Sequence, residues 1–372
     1  MRVPAAVWAG LVLALAVGGV GGCTGPEVPA PQRLVIAAGG PGDIYQQLGE
    51  ALAGAARRAW GAEVRLAGSA GSIRNLELVA TGEADVGFAS VDTAEIAVSG
   101  NSPFGRALPI QALARLYDDY LQVVTLAGSG IESLADLAGR RVSVGSDQAG
   151  TDIVAERLLA AAGVSPQQPA ALPASTSARA LVAGEIDAFV VAGGLPTPAV
   201  AEVAAQPGAV PRLLPLQELV PDLQRQYGEY YQARSIPAGT YPGVDTTVAT
   251  VGIPNVLVVR QDLPEATAYR LTELLFAAKP ELVAAHVEAR RLDHRSALAT
   301  FPIELHAGAE RYYRAAKPLA VAGRSAGQPV AVLDDGLHQL GAGQRLPEPG
   351  HRHLDRVVVH RRPVRDRRPD VR

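Results

Sequence analysis

The sequence predicts an α/β protein folded as two lobes on parallel sheets. Short apolar stretches alternate with helical ones from Arg33 onward, the pattern of βαβ crossovers. Two apolar stretches, Gln111 to Leu126 and Val248 to Arg260, stand where the chain would pass from one lobe to the other and back. A length of 372 residues at 48% hydrophobic content is enough for two or three cores.

In order, Arg33 to Ala38 is a short apolar strand followed by a glycine loop. Gln46 to Trp60 places Leu48, Leu52 and Ala55 on one helical face. Glu63 to Leu66 reads as a strand, Ser72 to Thr81 as a helix with an Ile73–Leu76–Val79 stripe, and Asp85 to Ala89 as a strand. Gln111 to Leu126 is interrupted by Tyr117, Asp118, Asp119 and Tyr120, which predicts two strands with a turn between them. A short helix at Ile131 to Gly139, a strand at Arg141 to Val144, a loop at Gly145 to Thr151 and a helix at Asp152 to Ala162 follow. Ala178 to Ala183 is helical and Ala188 to Val191 a strand. Leu263 to Ala284 makes one or two helices packing back on the first lobe. The expected boundaries are residues 33–120 and 251–317 for lobe 1 and residues 121–250 for lobe 2.

Outside that body the composition changes. Arg2 and the apolar run Ala5 to Val20, ending in Val20-Gly21-Gly22-Cys23, read as a secretory signal peptide over residues 1–22. A cysteine directly after small residues resembles a bacterial lipobox, which implies acylation of Cys23 and attachment to a lipid bilayer. Cys23 is the only cysteine, so no disulfide forms within the chain. Residues 23–32 hold three prolines and a glycine and read as a tether. No later stretch reaches the roughly 18 apolar residues of a membrane span. After Lys317 the pattern breaks down, and residues 318–372, rich in Arg, His, Asp and Pro toward the end, read as a solvated, disordered tail. A net charge of −3 and arginines without interleaved aromatics argue against a nucleic-acid partner.

Gly39-Gly40-Pro41-Gly42-Asp43-Ile44-Tyr45 lies between a strand and a helix, where backbone N–H groups and the helix N-terminus favour an anion. It lacks the spacing of a nucleotide loop. Four stretches taken in order, GGPGDIYQQLG, AGSAGSIRNLELVATGEADVGFAS, VGSDQAGT and AGEIDAFVVAGGLPTPAV, resemble the TAXI class of solute-binding subunits of tripartite (TRAP) transporters. TVATVGIPNVLVVRQDLP and PIELHAGAERYY resemble that class's hinge return and closing segment, so the likeness runs from Arg33 to about Arg314. It implies a type II periplasmic-binding-protein fold with crossing hinge strands, no cofactor, no catalysis, a small carboxylate or amino acid as ligand, and a TRAP-type membrane permease as partner.

The resemblance also selects residues. Gly40, Gly42 and Tyr45 match its glycine loop, and Ser69, Gly71, Ser72 and Asn75 its serine-glycine turn. Ser90 and Asp92 follow the third strand. Gly145, Ser146, Gly150 and Thr151 form the opposite lobe's loop, and Gly193, Gly194 and Pro196 follow a strand there. Each small polar residue is either a helix cap or a ligand contact. Asp43 and Ile44 depart from the small or hydroxyl residues of the class. A carboxylate facing an anion costs binding energy, so Asp43 either points outward, caps the next helix, or meets a positive group such as an amine. An enzyme is the first alternative, but the sequence has no HExxH and no nucleophilic cysteine beyond Cys23. The second alternative is a binding subunit of an ATP-driven importer, or a partner of a membrane sensor.

Overall fold

The computed structural model describes residues 30–40, 43–147 and 149–322. The expected signal peptide, Cys23, most of the expected tether, Gly42 and the chain after Ala322 lie outside the described residues. Strands β1 (Arg33–Ala38), β2 (Glu63–Gly68) and β3 (Val86–Ser90) alternate with helices α1 (Ile44–Trp60), α2 (Ser72–Thr81) and α3 (Val91–Ser99). The second lobe repeats the plan with β5 (Arg141–Ser143), β6 (Gln167–Ala170) and β7 (Ala188–Gly193) and helices α4 (Thr151–Ala162), α5 (Ala174–Val182) and α6 (Pro198–Ala204). Two long strands, β4 (Ile110–Leu126) and β10 (Val248–Arg260), serve both lobes.

The sheet runs β2-β1-β3-β10-β4-β7-β5-β6, with β8 (Pro211–Leu213) on β4 and β9 (Gln232–Ile236) on β10. Lobe 1 therefore reads β2-β1-β3-β10-β4 and lobe 2 reads β6-β5-β7-β4-β8. Each has three parallel strands, then a crossing strand that pairs antiparallel to them, then a fifth strand. This is the bilobal α/β fold that the sequence implies. The proposed lobe boundaries at 120/121 and 250/251 fall inside β4 and β10, so neither crossing is a loop.

The turn expected within the first crossing is absent. Gln111 to Leu126 is a single strand without a turn. The Tyr117–Tyr120 interruption is ordinary two-residue alternation, with irregularity confined to the β10 register between Pro254 and Val256 and between Leu257 and Val258. The sequence reading also missed β6, β8, β9, α3, α6 and α7 (Val220–Tyr227). Leu263 to Ala284 resolves into α8 (Glu265–Ala277) and α9 (Lys279–Ala285), with Pro280 opening the second. The closing helix α10 (Ala307–Ala322) runs past Lys317.

Burial explains the layers. Leu48, Leu52 and Ala56 of α1 pack with Leu271 and Leu275 of α8 against Ile36, Phe88 and Leu257 on one face of the lobe 1 sheet. Ala178, Leu181 and Val200 of α5 and α6 cover Phe189 and Val191 in lobe 2. A third cluster runs continuously across both lobes on the opposite face, from Leu76 and Val79 of α2 to Val154 and Leu158 of α4. Among the described residues no helix is long and apolar enough to cross a membrane.

Candidate functional site

The loops after β1, β2 and β3 face those after β5, β6 and β7 across one cleft, the place where ligands bind in open α/β sheets. The cleft encloses about 780 Å³, within the usual range for small-molecule sites. Lobe 1 lines it with Gly40, Asp43, Ile44 and Tyr45, with Ser69, Gly71 and Ser72, and with Ser90 and Asp92. Lobe 2 contributes Gly145, Ser146, Gly150 and Thr151, then Ser175 and Thr176, and Gly193 with Thr197.

The lobes touch. The Ser72 N–H donates to the Ala149 carbonyl at 3.0 Å. Gly71 (φ 147°) admits this approach because a Cβ there would stand 2.5 Å from the Ala149 oxygen. Gly150 (φ 90°) does the same from the other side, where a Cβ would lie 2.8 Å from Thr93 Oγ1. The Tyr231 hydroxyl donates to Asp92 Oδ2 at 3.2 Å and accepts from Arg157 Nη1 at 3.0 Å, tying lobe 2 to α3. Behind the hinge, the Leu195 N–H donates to Glu288 Oε1 at 3.4 Å. These contacts are those of a closed cleft.

In lobe 1 the polar wall is bonded to itself. Ser69 Oγ donates to the Ala38 carbonyl at 2.9 Å and accepts from the Gly71 N–H at 3.2 Å. Ser72 Oγ accepts from the Ser90 N–H at 3.1 Å, and Ser90 Oγ lies 3.0 Å from Thr93 Oγ1. Burial, followed by the charge of Asp119, holds the Tyr45 hydroxyl well above the ordinary phenol range. It stays protonated and donates to Asn255 Oδ1, while its ring stacks on Phe88 with centroids 5.5 Å apart. In lobe 2 the hydroxyls of Ser146, Thr151 and Ser175 make no hydrogen bond among the described residues.

Strand alternation adds two residues that the sequence reading did not select. Tyr117 and Asp119 share the cleft face of β4 and line the cavity. Asp118 and Tyr120 point the other way. There Asp118 pairs with Arg115 and, at 2.8 Å, with Arg234, and the Tyr120 hydroxyl accepts from Arg291 at 2.7 Å. Burial alone would raise Asp118, but the two guanidiniums outweigh it and hold the carboxyl below its usual range.

Asp119 has no such partner. Burial, with the charges of Asp92, Asp118 and Glu288, pushes its carboxyl up to about 7. The Asn255 side chain opposes the shift, although its own Nδ2 is buried without a partner at hydrogen-bond length. Asp43 is raised by desolvation, partly offset by the Gly40 N–H that Oδ2 accepts at 2.8 Å. That bond makes Asp43 a brace of its own loop as well as part of the wall.

Three sequence-selected residues fall off the wall. Asn75 is fully buried and spends its side chain on Ser69 at 2.6 Å and the Phe88 carbonyl at 2.9 Å. Gly194 sits where the lobes meet; a Cβ there would lie 2.8 Å from Ile44 Cδ1 and from Glu288 Cγ. Pro196 lines a smaller depression of about 340 Å³ with Tyr120 and Arg291.

A family model described as the NMT1-like family matches residues 36–316. The chain belongs to the NMT1-like family. Solved structures also resemble this NMT1-like chain in part. A periplasmic aliphatic sulphonate binding protein from Escherichia coli is 16% identical over 77% of this chain and 84% of its own, with a TM-score of 0.45. A periplasmic substrate-binding protein of an ABC transporter from Coxiella burnetii is 18% identical over 69% and 96%, at 0.39. An OxyR variant from Corynebacterium glutamicum is 14% identical over 72% and 71%, at 0.42. The order of the strands, not these partial likenesses, establishes the fold.

Proposed function

We propose that this chain is an extracytoplasmic solute-binding protein that closes its lobes on one small carboxylate-bearing molecule, with a glutamate-like amino acid favoured. The observation that carries this reading is the enclosed cavity of about 780 Å³ at the strand ends of two lobes joined by shared strands. The ligand carboxylate belongs on the lobe 2 side, against Ser146 and Thr151. The N-terminus of the twelve-residue α4 opens there, and a helix N-terminus with hydroxyl donors favours an anion. Ser69 and Ser72 act from the other side as a frame, because their hydroxyls are already engaged.

The TAXI resemblance supports delivery to an ion-gradient-driven TRAP permease, and the Val20–Cys23 motif supports anchoring through acylated Cys23. Calorimetry with amino acids, keto acids and sugars tests the ligand class. Binding of an amino acid, weakened by Thr151→Val, is the expected result; tight binding of a neutral sugar that ignores Thr151→Val would exclude it. Uptake into liposomes holding the cognate permease, with an ion gradient and no ATP, tests delivery; a requirement for ATP would assign the chain to an ATP-driven importer. Membrane retention of a Cys23→Ala protein in cell fractionation would rule out the lipid anchor.

A further inference from the structure

We infer that Asp119 is the specificity-determining residue of the cleft, and that it selects ligands carrying a protonated amine. The inference rests on the solute-binding reading and narrows it to a class of ligand.

Four carboxylates line the cavity, those of Asp43, Asp92, Asp119 and Glu202, and the described lining residues include no Arg, Lys or His. Three of the four are occupied. Glu202 pairs with Arg179 at 3.4 Å. Asp92 accepts the Tyr231 hydroxyl beside Arg157. Asp43 accepts the Gly40 N–H. Asp119 is 7% exposed, faces the cavity from the middle of β4, and forms no ion pair among the described residues. A buried charge without a counterion is costly, and here the missing counterion has a cavity to occupy. The immediate neighbours fit an ammonium group. Tyr117 and Tyr45 bring aromatic rings to the same wall, and Ile253, opposite Asp119 in the β4–β10 ladder, keeps water away from one side.

The charges nearest Asp119 act in the same sense, while the Tyr45 and Tyr117 hydroxyls beside it stay protonated. Asp92 on α3, Glu288 near the hinge and Asp118 on its own strand all oppose its ionisation. The arginines beside Asp118 and Glu288 are engaged with those carboxylates on the far face. In the empty protein the carboxyl therefore holds its proton up to about pH 7. Binding an ammonium requires the ionised form, so binding releases a proton and tightens as pH rises through this range. A protonated Asp119 that instead donates to a ligand carboxylate would reverse the sign, with tighter binding as pH falls.

Isothermal calorimetry on the full chain, using L-glutamate with glutarate and L-leucine with 4-methylpentanoate, decides between these. At pH 8 the amine-bearing member of at least one pair should bind ten- to a hundredfold more tightly than its des-amino partner. Asp119→Asn should remove most of that difference. Near pH 7, buffers of different ionisation enthalpy should report release of up to one proton, a readout that needs only the wild type. Equal or tighter binding of the des-amino member would overturn the inference, as would proton uptake. If a des-amino acid binds and Thr151→Val weakens it, the solute reading stands while this inference falls. If no member of either pair binds, the amino-acid reading falls and this inference with it.

Discussion

The two walls of the cleft are built from glycine-serine loops at strand ends, yet they are in opposite states. After β2 in lobe 1, Ser69 and Ser72 are tied to Ala38, Gly71 and Ser90. After β5 in lobe 2, Ser146 and Thr151 carry hydroxyls with no bond among the described residues. Each lobe braces its first loop with an aspartate, Asp43 on the Gly40 N–H at 2.8 Å and Asp152 on the Gly150 N–H at 3.0 Å. The similar braces leave the hydroxyls as the contrast. The Ser69–Ser72 loop of lobe 1 is a preorganised frame whose hydroxyls are bonded before any ligand arrives. Lobe 2 holds donors whose partner must come from the cavity, and preorganising one half limits the ordering cost of binding.

The contrast can be broken most severely at closure itself. Gly71→Val places side-chain atoms where the Ala149 carbonyl lies and forces a β-branched residue to φ 147°. It should weaken any ligand by a hundredfold or more, with the far-ultraviolet circular dichroism retained. An unchanged affinity would mean that the lobes need not meet. Thr151→Val and Ser146→Ala come next. Each should weaken a carboxylate ligand about tenfold, since a hydrogen bond to a charged group contributes about 1.5–3 kcal/mol, without lowering the melting temperature of the empty protein. Ser72→Ala should do the reverse. It leaves the buried Ser90 N–H unpaired, which costs about 1–3 kcal/mol of stability, and its effect on affinity should be the smaller one. Equal melting temperatures for Ser72→Ala and Thr151→Val would erase the distinction between the walls.

The last effect concerns pH. A carboxyl that titrates near 7 when folded and at 3.8 in its ordinary state binds more protons in the folded chain. Stability contributed by Asp119 is therefore present below pH 3.8 and lost as pH rises through 7. Asp119→Asn should raise the melting temperature of the empty protein more at pH 8 than at pH 5. A larger gain at pH 5 would contradict the placement of this carboxyl.

Much of this architecture was legible in the sequence. The βαβ rhythm over Arg33–Ala89 and the return strand Val248–Arg260 follow from hydrophobic period alone. So does the position of the glycine loops, because glycine and small polar residues mark strand ends. What was not legible follows from the same rules. β8 has three residues, too few to show a period. β6 is Gln-Gln-Pro-Ala, which carries no apolar signal because its position comes from pairing with β5. The Tyr117–Tyr120 run looked like a turn because two aspartates seldom sit in a buried strand. Read as strict alternation, it would have put Tyr117 and Asp119 on one face and Asp118 and Tyr120 on the other. Whether Asn75 met ligand or protein was not decidable from its position in a serine-glycine turn. That depended on Phe88, a strand away, offering its carbonyl.

The central claim is that the closed cleft holds a small solute. Equilibrium dialysis of the wild-type and Gly71→Val proteins against a pooled set of amino acids and keto acids, read by mass spectrometry, tests it most directly. The account predicts that the wild type enriches at least one member carrying both an amine and a carboxylate, and that Gly71→Val enriches none. A wild type that enriches nothing, or an enrichment that Gly71→Val retains in full, would contradict it.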